Sequence, residues 1–327
     1  MGAQQVIMAA VIVDEGILQG ERVEPAGRPR IPSDLLSARG KASLRRVLLD
    51  DHHVLVTRKR LRDAINVGVA EQSMIGICAG LALKGCQPFA YTIATFSLYR
   101  PFEMVRDDLC YQNLPVTVVG MGAGVIYSTL GGTHHTQEDI AIAGALPNMQ
   151  IIAPCDPAEC TEATNYCAKQ KKGPIYLRIG KAGEPNYTDK AVDPWVFGKL
   201  RYIKRGSDVC ILSYGIIMQK AMQLAERFEA AGKSVSVISC HTMKPLDVDG
   251  IAEALARHRH VVVIEEHAPQ GGLAPRTKQI AWDTRATCRL DTFTLQDAFI
   301  HNYGSHDDLL SAHGIDLPSV SARVGLA

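Results

Sequence analysis

The sequence lacks the features that most readily assign a chain to a class. No C-x-x-C pair occurs among its nine cysteines, which are scattered from Cys78 to Cys288. An odd, dispersed set of this kind excludes a disulfide framework or a zinc knuckle, and reduced, mostly buried thiols are expected. Charge of one sign is also missing: 35 Lys+Arg face 34 Asp+Glu, so no dominant electrostatic grip on nucleic acid or anionic membrane is expected. No apolar run approaches the roughly 20 residues of a membrane span, because Asp14 and Glu15 interrupt the one at the start. That start has neither the basic residues nor the cleavage site of a secretory leader. Val6 stands where a myristoylation motif needs Ser or Thr. Repeats and low-complexity tracts are absent. The expectation is a soluble, cytoplasmic protein.

What is present is enough apolar material, 46 % of 327 residues, for two domains. Pro25, Gly27, Pro29 and Pro32 crowd residues 1–40, which read as an irregular arm. From Ala64 onward short apolar runs alternate with helical patterns. Glu71 to Leu83 places Met74, Ile75, Cys78, Ala79 and Ala82 at helical spacing before Gly85. Strands are expected over 88–95, 116–119, 151–153 and 175–179, with helices over 101–111, 139–145 and 157–168. A Gly-, Pro- and Asp-rich stretch over 180–194 precedes a second series: strands over 209–213, 235–239 and 261–264, helices over 217–231 and 248–256. Such alternation predicts an α/β protein with two parallel or mostly parallel sheet domains, 41–188 and 189–327.

Several motif matches fail. The run Gly120 to Gly124 would be a dinucleotide loop only with Gly in place of Val125, and Gly232-Lys233-Ser234 lacks the upstream Gly of a P-loop, where Arg227 stands. The basic stretch Arg58 to Arg62 reads as a solvated surface. His52-His53 and the pair His258 and His260 read as surface histidines, and no metal-ligand cluster emerges.

A constellation survives. Glu71 falls where a short strand meets an apolar helix, although a first-turn Glu is favourable at any helix N-terminus. Phe96, Tyr99 and Phe102 recur every three residues after a strand; each singly reads as core. Gly131-Gly132-Thr133-His134-His135 closes a Gly-rich loop before a helix whose start Thr136 and Asp139 would support. Open α/β sheets bind ligands beyond the carboxyl ends of their strands, where all three segments fall.

The segments NVGVAEQ (66–72), FAYTIATFSLYRPF (89–102), GGTHHTQEDIA (131–141) and LPNMQIIAPCDP (146–157), with MKPLD (243–247) and EEHAPQGG (265–272), resemble the C-terminal half of the transketolase family. The resemblance covers about residues 64–327. It implies a pyrimidine-binding domain followed by a transketolase C-terminal domain, thiamine diphosphate as cofactor, and transfer of a two-carbon ketol unit from an anionic or phosphorylated ketose to an aldose. It makes Glu71 the catalytic carboxylate that bonds the aminopyrimidine and favours its imino form. Phe96, Tyr99 and Phe102 become the aromatics around that ring. His134 becomes the histidine facing the reacting substrate, and Arg178 and Lys181 the groups holding the substrate anion. Departures accompany the match: Gly122 and Leu130 stand where sugar-phosphate transketolases carry a histidine and an acidic residue. Residues 1–62 match nothing, with Leu48 to His53 only a loose analogue of an acidic loop.

The chain has no G-D-G segment, the family's usual anchor for Mg²⁺ and the diphosphate. The resemblance therefore implies a split enzyme. A second polypeptide, the N-terminal transketolase subunit, is expected to carry the diphosphate-binding domain and most of the Mg²⁺ contact in an α2β2 assembly. The alternatives are the β subunit of a 2-oxo-acid dehydrogenase E1-type enzyme and a non-catalytic transketolase-like subunit.

Overall fold

A computed structural model describes residues 9–13, 64–181 and 183–326. The first series runs β1 (Ala9–Val13), β2 (Ala64–Gly68), α1 (Glu71–Leu83), β3 (Pro88–Ile93), α2 (Ala94–Leu98), β4 (Thr117–Met121), α3 (Asp139–Ala145), β5 (Gln150–Ile152), α4 (Pro157–Lys169) and β6 (Ile175–Ile179). The second runs β7 (Arg201–Lys204), β8 (Val209–Ser213), α5 (Met218–Ala230), β9 (Val235–Ser239), β10 (Thr242–Lys244), α6 (Val248–Arg257), β11 (His260–Ile264), α7 (Leu273–Asp283), β12 (Arg289–Phe293), α8 (His306–Ala312) and α9 (Leu317–Val324).

These form two mostly parallel sheets, as the alternation predicts. The first has seven strands in the order β10-β5-β6-β4-β3-β1-β2, and the second five in the order β12-β11-β8-β9-β7. In the first, β3, β4, β6 and β5 are parallel, while β1 and β10 pair antiparallel with their neighbours. Parallel strands need both faces covered, and β4 is buried at every position. Alternation across the pleat sends Tyr91, Ile93, Val119 and Met121 to one core and Ala90, Val118 and Tyr176 to the other. Around the second sheet, α5 buries Met218, Ala221, Leu224, Ala225 and Phe228, a stripe at helical spacing.

The two sheets are tied together. Strand β10 follows directly on the second sheet's β9 but pairs with β5 of the first. Lys244 then donates from Nζ to the carbonyls of Gly144 and Leu146 at 2.8 and 2.6 Å, at the C-terminal end of α3 where a cation is favoured. Asp156 caps α4 and also accepts from the backbone of Tyr187 and Thr188 in the connecting stretch.

Several expectations change. Ala9–Val13 are not irregular: they form an inner strand between β2 and β3. The Pro- and Gly-rich part of the arm, Leu48 to His53 and Arg58 to Arg62 lie outside the described residues. The strand expected over 88–95 ends at Ile93, and Ala94 begins a short helix. The helix expected over 101–111 is one α-turn followed by a π-helix over Val105–Tyr111. His258 is not a surface histidine; it is buried, with its ring nitrogens against the Ala254 and Gly206 carbonyls and Ser236. Seven of the nine cysteines are buried. No helix among the described residues is long and apolar enough to cross a membrane.

Candidate active site

Glu71 is the first residue of α1, placed there by Gly68, whose φ of +72° turns the chain out of β2. Its carboxylate is buried at the helix N-terminus, where the orphan N–H groups favour negative charge. The Arg100 guanidinium lies against it, with Nη1 2.7 Å from Oε2. That guanidinium also covers the ring of Phe96, its Cζ 4.4 Å from the centroid. Phe96 in turn meets His134 edge to face, with centroids 5.3 Å apart. Glu71, Phe96 and His134 are thus brought into one site, linked through Arg100.

His134 is set by the Gly-rich loop. Gly124 and Thr136 exchange backbone hydrogen bonds of 3.1 and 2.8 Å, which close residues 124–136 into a loop. At the head of α2, the Thr95 hydroxyl donates to the His135 carbonyl at 3.3 Å and lies 3.1 Å from the Thr136 hydroxyl. Val125 N–H donates to Glu266 Oε1 at 2.6 Å, anchoring the other arm to the second sheet's domain. His134 Nδ1 lies 3.0 Å from the Thr133 hydroxyl. Partial burial lowers its pKa, so a neutral imidazole faces the site at neutral pH.

The sequence marks Gly122 only as the loss of a histidine, but the glycine has a steric role of its own. Its φ is +73°, and a Cβ there would run into the Tyr127 ring. Tyr127 stands 6.4 Å from the His134 ring, and Lys181 Nζ lies 5.7 Å from the Tyr127 centroid. The exposed ammonium of Lys181 therefore borders the His134 side of the site.

Three residues expected in the site do not come together there. Arg178, paired with Lys181 as an anion holder, is buried: its Nε donates to Asp139 Oδ2 at 2.8 Å and its Nη2 to the Glu266 carbonyl at 3.0 Å. Burial opposes the charge, but Asp139 together with Tyr214 and Tyr176 outweighs it, and the guanidinium stays ionised and committed. Tyr99 and Phe102 pack with the core on the opposite sheet face from the one that takes Phe96. The Tyr99 hydroxyl is enclosed, and burial, then Asp139 and Glu138, hold its pKa high. Asp139 serves no helix cap either; it takes Arg178 and the Tyr176 hydroxyl, the latter at 2.7 Å.

Arg100 is the site residue that sequence spacing does not single out. A spacing of three groups Phe96 with Tyr99, but the chain is helical here, and the residue stacked one turn on from Phe96 is Arg100 at i+4.

The donor set fits the pyrimidine half of a thiamine cofactor: a buried carboxylate for a ring nitrogen and an aromatic face beside it. Among the described residues no group of three or more His, Cys, Asp or Glu is placed to hold a metal ion.

Comparison with known proteins finds two transketolase family models along the chain. Residues 36–184 match the family model "Transketolase, pyrimidine binding domain", and residues 198–320 match "Transketolase, C-terminal domain". An apulose-4-phosphate transketolase subunit of Actinobacillus succinogenes is 29 % identical, over 78 % of this chain and 82 % of the relative. The 1-deoxy-D-xylulose-5-phosphate synthase of Chlorobaculum tepidum is 31 % identical over 79 % of this chain, but only 40 % of its own length is matched. A solved split-gene transketolase, described as an inactive β4 tetramer, superposes with a TM-score of 0.69 at 31 % identity, covering 80 % of this chain and 82 % of that one.

Proposed function

The chain belongs to the transketolase family, and we propose that it is the catalytic-glutamate half of a split, thiamine diphosphate-dependent transketolase. The observation that carries this reading is the joint placement of buried Glu71, the Phe96 face and neutral His134 at one site. Relatives described as subunits, and a longer synthase of which this chain spans less than half, support a second polypeptide. That partner supplies the diphosphate- and Mg²⁺-binding domain, two copies of each chain forming the assembly.

When bound, the cofactor supplies an electron sink for the carbon–carbon bond that ketol transfer breaks and remakes. Glu71 binds and orients its pyrimidine ring by a hydrogen bond to a ring nitrogen. Phe96 packs against that ring and excludes water from one side. His134, neutral and bonded to Thr133, accepts or donates a proton at a substrate hydroxyl or carbonyl oxygen. Lys181 attracts the anionic end of the substrate, consistent with a phosphorylated ketose such as the one named for the Actinobacillus relative. Gly122, whose side-chain space the Tyr127 ring fills, and the half-exposed Leu130 stand in place of polar groups on the donor side, which favours a donor different from the pentose phosphates.

Glu71→Gln tests the reading. The assembled enzyme is expected to lose on the order of 10²-fold or more in turnover while its circular dichroism stays unchanged. Undiminished ketol transfer by that variant would falsify the assignment; decarboxylation of pyruvate in place of ketose cleavage would favour the E1-type alternative.

A further inference from the structure

Arg100 holds the same two groups that the proposed function assigns to the pyrimidine ring. Its Nη1 is 2.7 Å from Glu71 Oε2, and its Cζ is 4.4 Å from the Phe96 centroid. A guanidinium is flat and cationic, with N–H donors along its edge, so it meets a carboxylate edge-on and an aromatic ring face-on. An aminopyrimidine offers the same combination: ring nitrogen and amine at its edge, an aromatic face above. Arg100 sits on Glu71 Oε2 and over the Phe96 ring, the positions that an aminopyrimidine stacked on the same ring and bonded to the same carboxylate edge would take, so the two ligands compete for that space.

The two partners differ in freedom. The Glu71 side chain is 2 % exposed and Arg100 42 %, so Arg100 can withdraw to solvent while Glu71 stays. Arg100 also reaches toward the His134 side through the shared Phe96 ring, which His134 meets edge-on at 5.3 Å. A simple surface salt bridge would need only the carboxylate. The stacking on Phe96 goes beyond that and engages a second group of the site.

We infer that Arg100 is a built-in stand-in for the aminopyrimidine: it clamps Glu71 and Phe96 in the unloaded chain and swings outward when the cofactor's ring enters. The inference rests on the cofactor reading given under Proposed function. It makes Arg100 a positioning residue whose effect falls on the unloaded state. If the clamp is closed about nine-tenths of the time, it weakens the apparent affinity for the cofactor about tenfold.

The test is calorimetric titration of thiamine diphosphate with Mg²⁺ into the chain mixed with its diphosphate-binding subunit, for wild type, R100M and R100K. R100M removes both the charge and the planar group, and is expected to bind about tenfold more tightly. R100K keeps a charge that cannot stack flat, and is expected to fall between the two. Without cofactor, R100M is expected to melt below wild type; at saturating cofactor the two should melt together. An R100M dissociation constant equal to or weaker than wild type, with wild type binding normally, overturns the stand-in and leaves the cofactor reading intact. Failure of wild type itself to bind overturns the cofactor reading and the stand-in with it.

Discussion

Two arginine–carboxylate pairs of nearly equal length stand at opposite depths in the first domain. Arg100 and Glu71 are 2.7 Å apart with the guanidinium 42 % exposed; Arg178 and Asp139 are 2.8 Å apart with both side chains at 3 % or less. Distance alone does not separate them, but surroundings do. Arg178 has further acceptors in the Glu266 and Thr136 carbonyls, at 3.0 and 3.5 Å, and Asp139 also takes the Tyr176 hydroxyl. Arg100 has one carboxylate, one ring face and solvent. The sealed pair ties the His134 loop and α3 to the second domain; the open pair lies where a ligand is expected and can be exchanged.

The largest expected effect comes from breaking the sealed pair. Arg178→Met leaves Asp139 buried without its counter-charge, a change that typically costs about 3–5 kcal/mol. Chemical denaturation of this variant should show a loss of that order. Turnover of the assembled enzyme should fall as well, because the Thr136 carbonyl loses a donor beside the His134 loop. A deficit near zero would mean that the pair does not fasten the two domains.

A smaller, pH-dependent effect bears on the same fastening. Glu266 receives Val125 N–H and, at 2.9 Å, His306 Nε2 from the start of α8. Burial disfavours the His306 charge, but Glu266 and then Asp307 outweigh burial and the opposing Lys220, and its pKa is raised above 6.5. The folded state therefore holds a proton that the unfolded chain releases near its ordinary pKa. The resulting stability is fully present below about pH 6.5 and is lost as pH rises through the raised folded value. Thermal melts across pH 6 to 9 should show this decline, and His306→Gln should flatten it. A wild-type profile that rises over that window would remove His306 from the fastening.

The contrast between the pairs also explains what was legible in the sequence. Helix and strand alternation was readable because the parallel strands are short stretches rich in apolar and β-branched residues: β8 and β9 are buried at every position and have the expected limits. Glu71, Phe96 and His134 were readable as short motifs near strand ends. Burial of a charged side chain was not. Arg178 and Lys181 look alike three residues apart in the sequence, yet β6 turns Arg178 into the interior while Lys181 follows the strand into solvent. Arg100 was hidden because its partners are distant or one turn away: Glu71 is 29 residues back, and Phe96 aligns with it only once Ala94 starts a helix. Strand β10 was equally hidden, since nothing in Thr242–Lys244 signals that it joins the other domain's sheet.

The smallest expected effect sharpens the comparison through salt. An ion pair with one partner in water contributes about 0–1 kcal/mol and is screened as ionic strength rises, the Debye length shrinking from about 10 Å at 0.1 M to about 3 Å at 1 M. R100M without cofactor is therefore expected to lose at most about 1 kcal/mol at low salt, with the deficit fading toward 1 M NaCl. Arg178→Met should keep its full deficit across the same range, because salt does not reach a pair enclosed by Tyr176, Tyr214 and the Glu266 carbonyl. Denaturation midpoints for both variants at the two salt levels make the measurement. An R100M deficit that persists at 1 M would mean that Glu71 and Arg100 are as closed to solvent as Asp139 and Arg178, and the exchangeable pair would have to be read as a second structural one.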